Sequence, residues 1–161
     1  MVSSKAGYNV KVFDTRRGAF KLNLEKIKKD FEERGIEPYI PFNIWDDCLL
    51  QISEAPSMDE AIKDADLIIE AVPENLALKR RVFKEIGQTA HTEAILATNS
   101  SSIPVSRLEE SSGRPERCIN LHFYSPLRGT NMVDVMGGEP EHCRKLWNLA
   151  SHGSDPSGAY L

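Results

Sequence analysis

Asn99-Ser100-Ser101-Ser102, His122 and Asp134 bring hydroxyls, an imidazole and a carboxylate, groups that hold or pass protons, into one stretch of the chain. Short apolar runs lead into the first two of them, Ala94 to Ala97 and Cys118 to Leu121, while Val133 and Val135 flank Asp134. Apolar runs of that length read as strands, so the polar groups should emerge at strand ends. In an open parallel sheet, ligands bind outside those ends.

The elements that would position them alternate between strand and helix. Tyr8 to Phe13 suggests a strand ending on Asp14, followed by a polar turn at Thr15 to Gly18 and a helix from about Gly18 to Arg34. Phe20, Leu24, Ile27 and Phe31 recur at helical spacing and predict one packed face, and Gly35 suits the position just past a helix end. Residues 36–56 carry three prolines and no sustained period, which predicts a loop with one short helix or strand at most. Ser57-Met58-Asp59-Glu60 matches a capping box opening a short helix.

Leu67 to Val72 is nearly continuous in apolar residues and stops at Pro73, the pattern of a central strand covered on both faces. Leu76 to about Thr89 predicts a helix with Leu78, Val82, Phe83 and Ile86 on its apolar side and Lys79, Arg80, Lys84 and Glu85 on the polar one. Strands at Ala94 to Thr98, Cys118 to His122 and Val133 to Met136 follow. A turn at Gly137-Gly138 and a short helix over Pro140 to Ala150 complete the expected order, that of an α/β parallel sheet. Residues 1–150 read as one domain and the Ser-, Gly- and Pro-bearing residues 151–161 as a flexible tail.

Composition narrows the class. The chain has 161 residues, 40% of them hydrophobic, enough for one packed domain. A net charge of -4 offers no basic stripe for nucleic acid. No apolar run reaches the length of a membrane span or of a secretory signal. Three cysteines, Cys48, Cys118 and Cys143, with no CxxC pair give little support to a disulfide framework or a metal site and suit a reducing, cytoplasmic setting.

Asp66-Leu67-Ile68-Ile69-Glu70-Ala71-Val72-Pro73-Glu74-Asn75-Leu76, then Lys79, Thr98-Asn99-Ser100-Ser101-Ser102 and Leu121-His122-Phe123-Tyr124-Ser125-Pro126, resemble the coenzyme-binding domain of the L-3-hydroxyacyl-CoA dehydrogenases. The similarity runs from about Ala6 to Gly138. It implies a Rossmann-like domain that binds NAD and, with an acyl-CoA substrate, oxidises the 3-hydroxyl. His122 would be the general base, since an unperturbed imidazole titrates near about 6.5. Asp134 would hold its orientation in place of the family's glutamate, one methylene longer. Ser101 would contact the reacting oxygen, and Asn99 the junction of nicotinamide and substrate. Glu74 and Lys79 would lie near the nicotinamide, and Asp14 would receive the adenosine ribose hydroxyls, an arrangement favouring NAD while Arg16 and Arg17 leave NADP open.

The resemblance also implies an incomplete, doubly wound parallel sheet. The family opens with a strand and a G-x-G-x-x-G loop that cradles the pyrophosphate; here Met1 to Ala6 aligns with the end of the first helix. The family's second and fourth strands would then lack their shared neighbour and expose an edge each. Ser125 stands where many members carry asparagine, and nothing after Ala150 resembles the family's helical domain, which supplies the dimer interface and part of the acyl-CoA pocket. Asp14 also suits a plain turn, the serines a turn with a helix cap, and Glu74 a cap for the next helix. Two functions remain open: an NAD-dependent 3-hydroxyacyl-CoA dehydrogenase, or a non-catalytic remnant serving as a binding or interaction module.

Overall fold

The computed structural model describes residues 2–35, 38, 40–123 and 133–137, which fall into two compact units divided between Ala61 and Ile62. In the first, helix α1 (Val2–Lys5) precedes strand β1 (Val10–Val12), which pairs in parallel with β2 (Ile52–Glu54), Val10 opposite Ile52. Helix α2 (Ala19–Arg34) ends where Gly35, at φ 60, sends its N–H back to the Phe31 and Glu32 carbonyls. That left-handed conformation costs glycine nothing, which is why the helix stops there.

The α2 stripe is only partly buried. Phe20, Leu24 and Phe31 are half-buried, Ile27 is exposed, and Ala19 alone is fully buried. A ribbon of two three-residue strands is too small to cover a helix of 16 residues. Residues 36–56, expected as a loop, supply α3 (Trp45–Leu49), β2 and the unit's core, where Ile40, Trp45 and Cys48 gather with Leu24 and Phe42 around them. Helix α4 (Met58–Ile62) begins as its capping box predicts, with Ser57 Oγ accepting the Glu60 N–H at 3.2 Å.

The second unit is a four-stranded sheet in the order β3 (Leu67–Glu70), β4 (Ile95–Thr98), β5 (Cys118–Phe123), β6 (Val133–Gly137). The first three run parallel and β6 runs antiparallel to β5, so the expected parallel sheet is mixed at this end. Parallel neighbours need a crossover. Helix α5 (Leu76–Thr89) joins β3 to β4, and α6 (Glu109–Ser112) lies between β4 and β5. Asn75 caps α5, its side chain accepting the Leu78 N–H at 2.9 Å, so Glu74 is not the cap.

Strand alternation gives the sheet two unlike faces. Ala97, Ile119 and Leu121 form the core of one, joined by Ile95, Phe123, Val133 and Val135. Burying a side chain such as Ile119 or Leu121 contributes about 1.5–3 kcal/mol each. The other face carries Glu70, Thr98 and Asn120 in one line of register, with His122 and Asp134 paired beyond them.

Strand β3 corrects the reading of its apolar run as a central strand and agrees with the edge that the family resemblance implies. Among the described residues it pairs with β4 alone, and Leu67 and Ile69 are 39% and 41% exposed, so it is an edge strand and not a central one. Strand β1 likewise pairs only with β2. An apolar run therefore marks the strand correctly but not its neighbours. Gly137 of the expected Gly137-Gly138 turn closes β6, while Gly138, the helix over Pro140 to Ala150, Tyr124 to Pro126 and the tail lie outside the described residues.

Candidate functional site

Glu70, the last residue of β3, points from an apolar strand into a buried polar cluster. It is 4% exposed. Its carboxylate accepts the Lys79 ammonium at 2.9 and 3.1 Å, the Thr98 hydroxyl at 2.8 Å and the Val72 N–H at 2.6 Å. Lys79 donates further to the Val72 carbonyl at 3.2 Å and approaches Glu74 Oε2 at 3.3 Å. The residue expected on the polar side of α5 is thus 1% exposed, because the buried carboxylate draws its ammonium inward. Burial of a lone ammonium would cost several kcal/mol, and two carboxylates offset that.

Glu74 Oε1 holds the turn that follows β4. It accepts the Ser100 hydroxyl, the Ser102 hydroxyl at 2.7 Å, and the N–H groups of Ser102 and Ile103 at 3.1 and 3.2 Å. These bonds, Ser100 first and Ser102 next, lower its pKa from 4.5 to about 2 despite a smaller opposing effect of burial. Hydrogen bonds to the ionised form have that sign. Ser100 Oγ in turn accepts the Ile103 N–H at 2.9 Å, and Asn120 donates its side-chain amide to the Ser100 carbonyl at 2.9 Å.

Between the two pinned serines, Ser101 is exposed. Asn99 Oδ1 accepts the Phe123 N–H at 3.0 Å, tying the turn to the end of β5 beside His122. His122 and Asp134 are direct register partners across the antiparallel β5–β6 ladder, both half-buried. Directly opposed residues place their Cβ atoms about 4.5–5.5 Å apart on the same face. Asn99, Ser101, His122 and Asp134 therefore belong to one sheet and its C-terminal edge, with Glu74 and Lys79 behind the turn.

Asp14 belongs to the first unit. It is exposed just past β1, where its carboxylate accepts the Arg16 N–H at 2.8 Å, an Asx turn. The sequence reading passed over Glu70, Thr98 and Asn120. A signal for Glu70 existed, since one carboxylate interrupts an otherwise apolar run and a buried strand charge requires a partner. Among the described residues no group of three His, Cys, Asp or Glu side chains could hold a metal ion, and no helix is long and apolar enough to cross a membrane.

Residues 1–145 match the family model described as 3-hydroxyacyl-CoA dehydrogenase, NAD binding domain. The chain belongs to this 3-hydroxyacyl-CoA dehydrogenase family. The domain is 29% identical over 136 residues, 84% of its length and 47% of the relative's, to a protein of Bacillus subtilis (strain 168) named "Probable 3-hydroxybutyryl-CoA dehydrogenase". It is 39% identical over 90 residues to the fatty acid oxidation complex subunit alpha of Shewanella sp. (strain W3-18-1), covering 56% of this chain and 13% of that one. The crystal structure of 3-hydroxybutyryl-CoA dehydrogenase from Escherichia coli superposes with a TM-score of 0.75 at 25% identity, covering 96% of this chain and 33% of the other. The chain thus spans about half or less of the length of these relatives.

The coenzyme of a 3-hydroxyacyl-CoA dehydrogenase NAD binding domain is NAD.

Proposed function

We propose that this chain carries the nicotinamide side and the general base of an NAD-dependent 3-hydroxyacyl-CoA dehydrogenase. The observation that supports it is the pairing of His122 with Asp134 beside the exposed Ser101. In this reading Ser101 hydrogen-bonds the oxygen on carbon 3 of the acyl-CoA. His122 takes the hydroxyl proton as the C–O bond becomes a carbonyl, giving the 3-ketoacyl-CoA. Asp134 holds the imidazole and stabilises the imidazolium that results. Bound NAD would accept the hydride leaving carbon 3. Asn99, and Glu74 with Lys79 behind it, shape the nicotinamide end, and Asp14 is assigned the adenosine ribose hydroxyls. A positioned base of this kind contributes about 10²–10⁴-fold.

The partners on this reading are an acyl-CoA and either a second copy or a helical domain that completes the acyl pocket; the setting is the cytoplasm. A second reading is a non-catalytic binding or interaction module. NADH fluorescence titration of the 161-residue protein separates the two. Saturable binding, together with reduction of NAD by 3-hydroxybutyryl-CoA that His122→Ala abolishes, supports the dehydrogenase. Absence of binding supports the module, and turnover that survives His122→Ala overturns the assigned base.

A further inference from the structure

Five residues close a ring of polar contacts beneath the serine turn. Glu70 holds Lys79 Nζ at 2.9 Å; Lys79 reaches Glu74 Oε2 at 3.3 Å; Glu74 Oε1 accepts the Ser100 hydroxyl. The Ser100 N–H returns to Thr98 Oγ1 at 3.3 Å, and that hydroxyl donates to Glu70 Oε2 at 2.8 Å. Four of the five are almost wholly buried, Lys79 and Thr98 at 1% and 0% exposure, with Glu74 at the rim.

We propose that Glu70 and Lys79 are positioning residues of this site: the buried pair fixes Glu74, and Glu74 fixes Ser101 by gripping the turn on both sides of it. The geometry has three parts. Lys79 occupies the far oxygen of Glu74 and leaves the near one turned toward Ser100, Ser102 and Ile103. Glu70 holds the other end of the same turn, through Thr98 to Ser100 and through its own carbonyl, which accepts the Asn99 N–H at 2.9 Å. Ser101 takes no part in the ring, so its hydroxyl is left for a ligand while its backbone is held from either side. Lys79 is the one cation joining two carboxylates, and without it Glu70 and Glu74 would repel one another across the cluster.

A positional error near 1 Å in a reacting group costs about 10²-fold in rate, which gives the clamp its scale. This inference rests on the dehydrogenase reading for the role of Ser101, but the clamp itself does not need turnover to be tested. Lys79→Met alone leaves the Glu70 charge buried without its counter-ion and endangers the fold. Glu70→Gln combined with Lys79→Met removes both charges and keeps an acceptor for the Val72 N–H, with the amide NH2 facing the Thr98 hydroxyl, which can accept. Glu74→Gln, at the exposed rim, is the second variant.

In the NMR spectrum of the 161-residue protein, amide exchange at Ser102 and Ile103 should rise about tenfold in the double variant, the scale of one charge-assisted hydrogen bond. Exchange at Phe83 in α5 should not change. Unaltered exchange at Ser102 and Ile103 overturns the clamp. In turnover of 3-hydroxybutyryl-CoA, with rates referred to the folded fraction measured by circular dichroism, both variants should lose kcat about tenfold or more with KM within about twofold, the pattern of an interaction made in the transition state. Unaltered kcat overturns the positioning role. A wild-type protein without turnover overturns the dehydrogenase reading instead, and the amides then decide the clamp alone.

Discussion

Glu74 Oε1 accepts both the backbone N–H of Ser102, at 3.1 Å, and its hydroxyl, at 2.7 Å. With the Ser100 hydroxyl, these bonds hold the carboxyl's pKa at about 2 instead of 4.5. A carboxyl whose pKa is lower in the folded than in the unfolded state stabilises the fold above the unfolded value. That contribution is lost as pH falls from about 4.5 toward about 2. Urea midpoints of the wild type and Glu74→Gln should therefore differ at pH 6 and converge toward pH 2.5. A gap that does not change with pH would show that the ionised form is not what the serines bind.

Gly87 sits inside α5, where alanine would be favoured by about 1 kcal/mol on helix propensity alone. A Cβ there would fall 1.9 Å from the Ser112 carbonyl oxygen and 2.7 Å from its carbon. Both obstacles are backbone, so α5 and α6 must separate. Overpacking of this kind costs about 1–3 kcal/mol or more and outweighs the propensity gain. Gly87→Ala should lower Tm by several degrees in calorimetry. A variant more stable than wild type would mean that propensity decides and that the approach of α6 relaxes freely.

How much of this was legible in the sequence depended on the range of the interaction. Helix α5 was readable to both ends, Leu76 and Thr89, because its apolar spacing is a local signal. Strands β4 and β5 were readable within a residue, being buried apolar runs. Strand β2 was not, since three residues show no alternation. Leu67 and Ile69 looked like the core of a central strand by their apolar run, whereas the resemblance implied the edge that the pairing shows. The candidate site divided in the same way. His122, Asp134 and Ser101 stood out by type and by family resemblance. Lys79 was assigned to the wrong face because helical periodicity counts charge as solvent-seeking, whereas Glu70, nine residues away, draws it inward. Thr98 and Asn120 carried no local signal, since their partners lie on other strands.

Cys118 is a fully buried free thiol. Burial pushes its pKa from 9.0 up to about 11, partly offset by the Ser112 hydroxyl 3.3 Å away. Because the thiolate is the reactive form, a shift of that size lowers its alkylation rate about 100-fold against an ordinary exposed cysteine at pH 8. Iodoacetamide followed by peptide mass spectrometry should leave Cys118 unlabelled in the native protein and label it in denaturant. The raised value also carries a sign for stability. The contribution is complete below pH 9 and declines as pH rises toward 11, because only the unfolded thiol ionises in that window. Prompt native labelling of Cys118 would mean that the β5 end of the sheet opens.

The His122–Asp134 pairing sets the last expectation. In register across two strands, Asp134 lies directly opposite His122, and the glutamate that the family resemblance implies here would reach about 1 Å further. If Asp134 serves by its charge as well as its reach, Asp134→Asn should lower kcat by about 10²-fold or more, on the scale of other oriented bases deprived of their carboxylate. Asp134→Glu keeps the charge and alters only the reach, so its loss should be smaller. The order aspartate, glutamate, asparagine in kcat, followed by NADH absorbance with 3-hydroxybutyryl-CoA, is the outcome this geometry requires. Equal kcat in all three would remove Asp134 from the site, because neither charge nor length would then act on His122. A glutamate variant worse than the asparagine one would overturn the role of the Asp134 charge.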